Sequence, residues 1–197
     1  MMRLGVLGST RGTHLITLME AIKEKKLSAA IHVVISNKQD ALILERAKSY
    51  DLPSQFLDPA GLSCEIYDHK VSQTLQHYTV DLVVLIGYMR ILSSEFVKHW
   101  ENKIINVHPS LLPAFAGKMD LDVHRAVLQA GMKETGCTVH YVTEKVDSGP
   151  IILQRQCEVL TTDTPEILKQ RVQQLESRAL IEALNLIALD PMVSVIV

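Results

Sequence analysis

Through residue 110 the chain alternates between nearly continuous β-branched runs and stretches with apolar residues at helical spacing, and this alternation excludes most folds. The runs are "RLGVLGS" (3–9), "AAIHVVISN" (29–37), "VDLVVLIGY" (80–88) and "KIINVHPS" (103–110), with "PSQFLD" (53–58) a weaker third strand. Unbroken apolar runs of this length mark strands covered on both faces. Between them "THLITLMEAIKEKKL" (13–27), "DALILERAKSY" (40–50) and "CEIYDHKVSQTLQHY" (64–78) predict amphipathic helices. Strand–helix–strand repetition with short links implies right-handed parallel crossovers.

After residue 110 the rhythm changes. "DVHRAVLQAG" (122–131) predicts a helix stopped by Gly131. "GCTVHYVTE" (136–144) and "PIILQRQCEV" (150–159) predict an antiparallel pair across "KVDSG". Residues 164–190 predict a long amphipathic helix with Thr164 as N-cap and Pro165 at its first position. The expected fold is α/β: a single doubly wound, mostly parallel sheet with helices on both faces, then an antiparallel C-terminal strand pair and a long helix. With no repeat or linker, residues 1–197 are expected to form a single domain, long enough to bury roughly 70% of the unfolded surface.

A net charge of −2 offers no basic surface for nucleic acid or anionic membrane. Small-molecule substrates are therefore expected, with no nucleic-acid and no membrane partner, and a monomer or homodimer. The three cysteines lack CxxC spacing, which argues against a disulfide framework, and Cys137 and Cys157 are expected to be buried thiols in a reducing compartment. With no signal segment or membrane span, a cytoplasmic location follows. No HExxH or metal-ligand spacing is present among the histidines, so no metal is expected and His32, His69, His77, His99, His124 and His140 are assigned surface or packing roles. No GxSxG occurs and no cysteine has an evident His partner, which leaves covalent catalysis without a nucleophile.

Ligands of parallel sheets bind beyond the carboxyl ends of the strands. Gly8–His14, Ser36–Lys38, Gly87–Leu92 and Asn106–Pro113 are expected there. "GSTRGTHL" joins a strand to a helix through glycine, so Gly12, Thr13 and His14 form either a phosphate cradle or a plain tight turn. It matches neither the dinucleotide nor the P-loop fingerprint. Asn106 and His108, two apart on a strand, project to one face, and Pro109 ends the ladder after them. An amide beside an imidazole suits a reaction that builds charge on a carbonyl oxygen, or else both cap loop backbone. Asp147 opens a turn in "VDSGP" and, were it near His108, would raise the imidazole pKa.

Taken in order, "GSTRGT", "ISNK", "GYMRILS", "INVHPSLLPAFAG", "VDSGPII" and "RVQQLESR" make the chain resemble the 10-formyltetrahydrofolate-dependent formyltransferases, and among them the phosphoribosylglycinamide formyltransferases, collinearly over about residues 3–190. The resemblance implies formyl transfer from 10-formyltetrahydrofolate, as cosubstrate, to the amine of phosphoribosylglycinamide in purine synthesis. It implies that Asn106 holds the oxyanion, that His108 acts as imidazolium and moves protons, and that Asp147 keeps His108 protonated. Gly12, Thr13 and His14 would take the nucleotide phosphate, and Gln173 and Glu176 the rest of that substrate. Met89, Arg90, Ile91 and Leu92 would line the folate pocket together with Asn106, and Thr143, Glu144, Lys145, Val146 and Asp147 would close over it; without the resemblance, Met89, Ile91 and Leu92 read as core.

Some positions depart from the family pattern. His14 stands where relatives usually carry Asn, and Cys64 where they commonly carry a ligand-contacting Arg. The loop "GKMDLDVHR" (117–125) is longer than usual, with His124 matching its later His. Three other activities share parts of the pattern. A deformylase would hydrolyse the formyl group but normally carries an N-terminal regulatory domain, and a methionyl-tRNA formyltransferase carries a C-terminal tRNA-binding domain. A sugar-amine formyltransferase stays open because of His14 and Cys64. A catalytically silent binding module is the non-enzyme alternative.

Overall fold

The computed structural model describes residues 1–189. The apolar ending 191–197, for which the sequence allows an edge strand, a dimer contact or a frayed tail, lies outside them. Seven strands follow the hydrogen-bonded order β3-β2-β1-β4-β5-β6-β7 in one mixed, mostly parallel sheet, with six helices among the described residues. The residues cluster as two compact units, Met1–Ile105 and Asn106–Leu189.

In the first unit β1 (Met2–Leu7) lies between β2 (Ala29–Ser36) and β4 (Leu82–Leu85), all parallel, with the three-residue β3 (Ser54–Phe56) outside β2. Leu4, Val6, Leu7, Val33, Val34, Ile35, Val83 and Val84 are fully buried, which is why these runs carry no polar alternation. Helices α1 (Thr13–Lys23), α2 (Leu42–Ser49) and α3 (Cys64–His77) each end short of the predicted limit. The cause is shared. Lys25, Asp51 and Thr79 adopt left-handed φ of 59°, 55° and 52°. The next N–H then reaches five residues back, as from Lys26 to the Ala21 carbonyl at 2.8 Å, Leu52 to Ala47 at 3.0 Å and Val80 to Leu75 at 3.1 Å. Such terminators normally use glycine, and these three do not.

A short helix, α4 (Ser94–His99), was not predicted. Ser93 caps it by accepting the Phe96 N–H at 3.3 Å, and Trp100 after it donates to the Ser72 hydroxyl at 2.9 Å. Six residues are too few for a helical period to show.

In the second unit β5 (Ile104–His108) continues from the unit boundary. α5 (Leu121–Gln129) ends at Gly131, whose φ is 63°, as predicted from its glycine. β6 (Glu134–Tyr141) and β7 (Ile151–Glu158) pair antiparallel, and α6 (Pro165–Leu189) opens with Thr164 accepting the Ile167 N–H at 3.3 Å. Cys137 is buried, which pushes its thiol up to about 12. Cys157 corrects an expectation: it is only half-buried, because β7 is the edge strand of the sheet and none of its residues is fully buried.

Candidate active site

Asn106 and His108 leave β5 on one face, and Asp147 reaches His108 from the β6–β7 connection. His108 is 3% exposed, and its Nδ1 lies 3.2 Å from Asp147 Oδ2. That carboxylate oxygen also accepts the Gly117 N–H at 2.8 Å. Asp147 has a left-handed φ of 51°, a backbone state an Asp tolerates better than most residues. Gly149 explains the rest of the "D-x-GP" pattern. A Cβ there would sit 1.8 Å from the Tyr141 carbonyl oxygen, so only glycine lets the connection lie against the end of β6. We expect Gly149→Ala to cost about 1–3 kcal/mol of stability through overpacking and to lower activity by displacing Asp147. An unchanged urea midpoint with unchanged turnover would contradict this.

The loop after His108 is tied to the same strand pair. The Thr138 hydroxyl donates to the Ser110 carbonyl at 2.7 Å and accepts the Leu112 N–H at 3.0 Å. Gln154 donates to the Leu112 carbonyl at 3.0 Å and to Thr138 Oγ1 at 2.9 Å. The "HPSLLP" segment is thus fixed by buried polar contacts, which are costly to leave unmade.

His140, assigned only a surface or packing role from sequence, belongs to this cluster. Its Nδ1 lies 2.8 Å from the Tyr141 carbonyl, which makes that nitrogen a donor. Nε2 then accepts from the Asn106 amide nitrogen at 3.4 Å. This contact orients the Asn106 amide and leaves its second N–H for another acceptor. His140 Nε2 stands 3.7 Å from Asp147 Oδ1, beyond hydrogen-bond reach. The only sequence signal for His140 was its place on an apolar strand facing "VDSGP".

The charge on His108 is set by opposed influences. Burial lowers its pKa, and this outweighs Asp147, the Phe115 backbone and Glu176, which raise it. The net direction is below the ordinary value near 6.5, so the ring rests neutral at neutral pH. Burial likewise lowers His124, against an upward pull from Glu176. His124 is 2% exposed, and its Nδ1 makes no hydrogen bond among the described residues. Glu176 is also buried, on the face of α6 that carries Gln173 one turn earlier, and Gln173 itself is half-buried. In the segment expected to be a longer loop over 117–125, whose second half is the start of α5, Asp120 pairs with Lys169 of α6.

Two histidines with depressed pKa values set a pH window. The unfolded chain binds their protons at about pH 6.5, before the folded one does, so stability is complete above that pH and falls as the solution is acidified through it. We expect the urea midpoint to drop from pH 7 to pH 5 and His124→Gln to flatten the drop. A midpoint flat over that range would contradict the buried neutral rings.

The remaining sequence candidates lie in the first unit or on the surface. Gly12 precedes α1 with a φ of 67°, and a Cβ there would lie 2.3 Å from Ile43 Cγ1. The first turn of α1 has no acidic residue and no side-chain cap, which leaves Gly12, Thr13 and His14 at the positive end of a helix dipole. Met89 and Ile91, which would otherwise read as core, are 42% and 73% exposed. Leu92 is half-buried, and Arg90 stacks over the Tyr67 ring at 4.4 Å. Cys64 Sγ lies 3.3 Å from the Ile91 carbonyl and 3.7 Å from Asp68, and burial followed by Asp68 pushes its thiol up. Thr143, Glu144, Lys145 and Val146 are exposed. Among the described residues no group of three or more His, Cys, Asp or Glu side chains is placed to hold a metal ion, and no helix is long and apolar enough to cross a membrane.

A strand-end amide and imidazole with a facing carboxylate form an arrangement suited to acid–base and oxyanion chemistry. The chain belongs to the formyl transferase family, which matches residues 2–184. It is 39% identical over 176 residues to phosphoribosylglycinamide formyltransferase of Escherichia coli (strain K12), covering 89% of this chain and 82% of that protein. The crystal structure of glycinamide ribonucleotide transformylase 1 from Symbiobacterium toebii matches with a TM-score of 0.91 at 43% identity, over 95% of this chain and 88% of that one. A further relative, the trifunctional purine biosynthetic protein adenosine-3 of Gallus gallus, is 42% identical over 187 residues, 94% of this chain. This chain spans 18% of the length of that protein.

Proposed function

We propose that this chain transfers the formyl group of 10-formyltetrahydrofolate to the glycinamide amine of phosphoribosylglycinamide, a step of purine synthesis. The observation that carries the reading is the grouping of buried His108 and His140 with half-buried Asn106 and Asp147. The substrate amine attacks the formyl carbon, a C–N bond forms, and negative charge moves onto the formyl oxygen. Asn106, its amide held by His140, donates to that oxygen. His108 enters neutral, with Nδ1 facing Asp147 Oδ2 at 3.2 Å. Its Nε2 is buried and makes no hydrogen bond among the described residues, so it takes the proton from the attacking nitrogen. Asp147 stabilises the imidazolium that results. The tetrahedral carbon then releases N10 of the folate as the C–N10 bond breaks, and the His108 proton passes to N10.

Within this reading Gly12, Thr13 and His14 bind the nucleotide phosphate, and Gln173 and Glu176 bind the ribose and glycinamide. Met89, Arg90, Ile91 and Leu92 take the folate, with Thr143, Glu144, Lys145 and Val146 covering it, and Cys64 stands close to Ile91 at the edge of that segment. The chain acts as one domain in the cytoplasm, as a monomer or homodimer, with no nucleic-acid or membrane partner and no metal. Mass spectrometry of the nucleotide after incubation with the formyl donor tests the reading. The formylated nucleotide is expected, and an unmodified nucleotide with the donor deformylated would replace the transferase by a hydrolase.

A further inference from the structure

We propose that Ser9 is a positioning residue that fixes the backbone of the Met89–Leu92 segment from within the loop that carries Gly12–His14. The proposal rests on the reading above, in which Met89–Leu92 takes the formyl donor.

Ser9 follows β1 and is 3% exposed. Its N–H donates to the Gly87 carbonyl at 3.1 Å, and its hydroxyl donates to Asn37 Oδ1 at 2.5 Å. A serine hydroxyl has one proton and two lone pairs. With the proton committed to Asn37, a lone pair is left to accept the Met89 N–H at 2.9 Å. One side chain therefore joins the ends of β1, β2 and β4. Thr10 lies close against the same junction, since a Cβ on Gly87 would lie 2.4 Å from Thr10 Oγ1.

The segment needs such a hold. Ile91 points largely into solvent and Met89 is only partly covered, so burial orders the chain there weakly. Its far end is secured separately, where Asp68 Oδ2 accepts the Ser93 N–H at 2.6 Å. The hold is also dispensable for the sheet. The strands are already joined by backbone bonds, from Gly8 N–H to Ile35 at 3.0 Å and from Ile86 N–H to Leu7 at 2.8 Å. Removing the Ser9 oxygen leaves those bonds and strips Met89 N–H of its acceptor.

Two variants test this, Ser9→Ala and Asn37→Ala, the second on a half-buried side chain whose loss spares the core. Both are compared with the unaltered chain by steady-state kinetics and by hydrogen–deuterium exchange of the peptide containing Met89. Ser9→Ala is expected to speed exchange there and to raise the KM for the formyl donor about tenfold, with kcat within about twofold. The KM for the nucleotide should move less. Asn37→Ala should act in the same direction and more weakly, because the Ser9 hydroxyl then turns freely. Unchanged exchange with an unchanged donor KM would overturn the proposal. So would a lower kcat at constant KM, or an equal rise in both KM values with a lowered melting temperature in both variants. If the unaltered chain transfers no formyl group, the functional reading falls. Exchange at Met89 then decides the role of Ser9 by itself.

Discussion

His108→Ala is expected to lower turnover by about 10² or more while leaving the fold in place. The ring is buried, with Asp147 facing Nδ1 and an Nε2 that makes no hydrogen bond among the described residues. Its removal takes away the group that moves a proton between the attacking and leaving nitrogens. Asn106 is not part of that loss, so the remaining activity reports oxyanion binding alone. Circular dichroism and kinetics on the same preparation check this. Near-normal turnover in a folded variant would take His108 out of the mechanism.

Asp147→Asn separates charge from shape. An Asn side chain still accepts the Gly117 N–H, but the carboxylate that raises the His108 pKa is gone. Burial then acts with less opposition, so the imidazole titration moves down, further from 6.5. The Asn oxygen that keeps the Gly117 bond also faces Nδ1, so the ring keeps its tautomer while the imidazolium loses its stabilising charge. Turnover is expected to fall by about 10², and the acidic limb of its pH profile to move to lower pH. An imidazole titration unchanged by NMR would mean that the two side chains do not interact in solution.

Much of the fold is written into residue type. β1, β2, β4 and β5 show in the sequence because buried parallel strands need unbroken β-branched runs, and Thr164 with Pro165 marks the start of α6 because caps are chemically specific. The ends of α1, α2 and α3 are not legible, since Lys25, Asp51 and Thr79 hold positions where glycine is the usual signal. The short α4 lacks the length for a period to show.

The candidate site follows the same division. Asn106 and His108 stand out because strand geometry fixes their common face, and Asp147 because its turn motif is compact. His140 does not, because its link to Asn106 spans 34 residues and only the antiparallel pairing of β6 with β7 brings Asp147 beside it. The resting charge of His108 depends on how deeply the ring is buried against how close one carboxylate comes, and neither quantity can be read from a sequence.

The most direct test follows loss of the formyl group from a spectrophotometrically active donor, 10-formyltetrahydrofolate or its dideaza analogue, with and without phosphoribosylglycinamide. The expected result is turnover only when the nucleotide is present, abolished to within about 10⁻² of its rate by His108→Ala. Equal loss with and without the nucleotide, or none in either case, would contradict formyl transfer to the nucleotide amine.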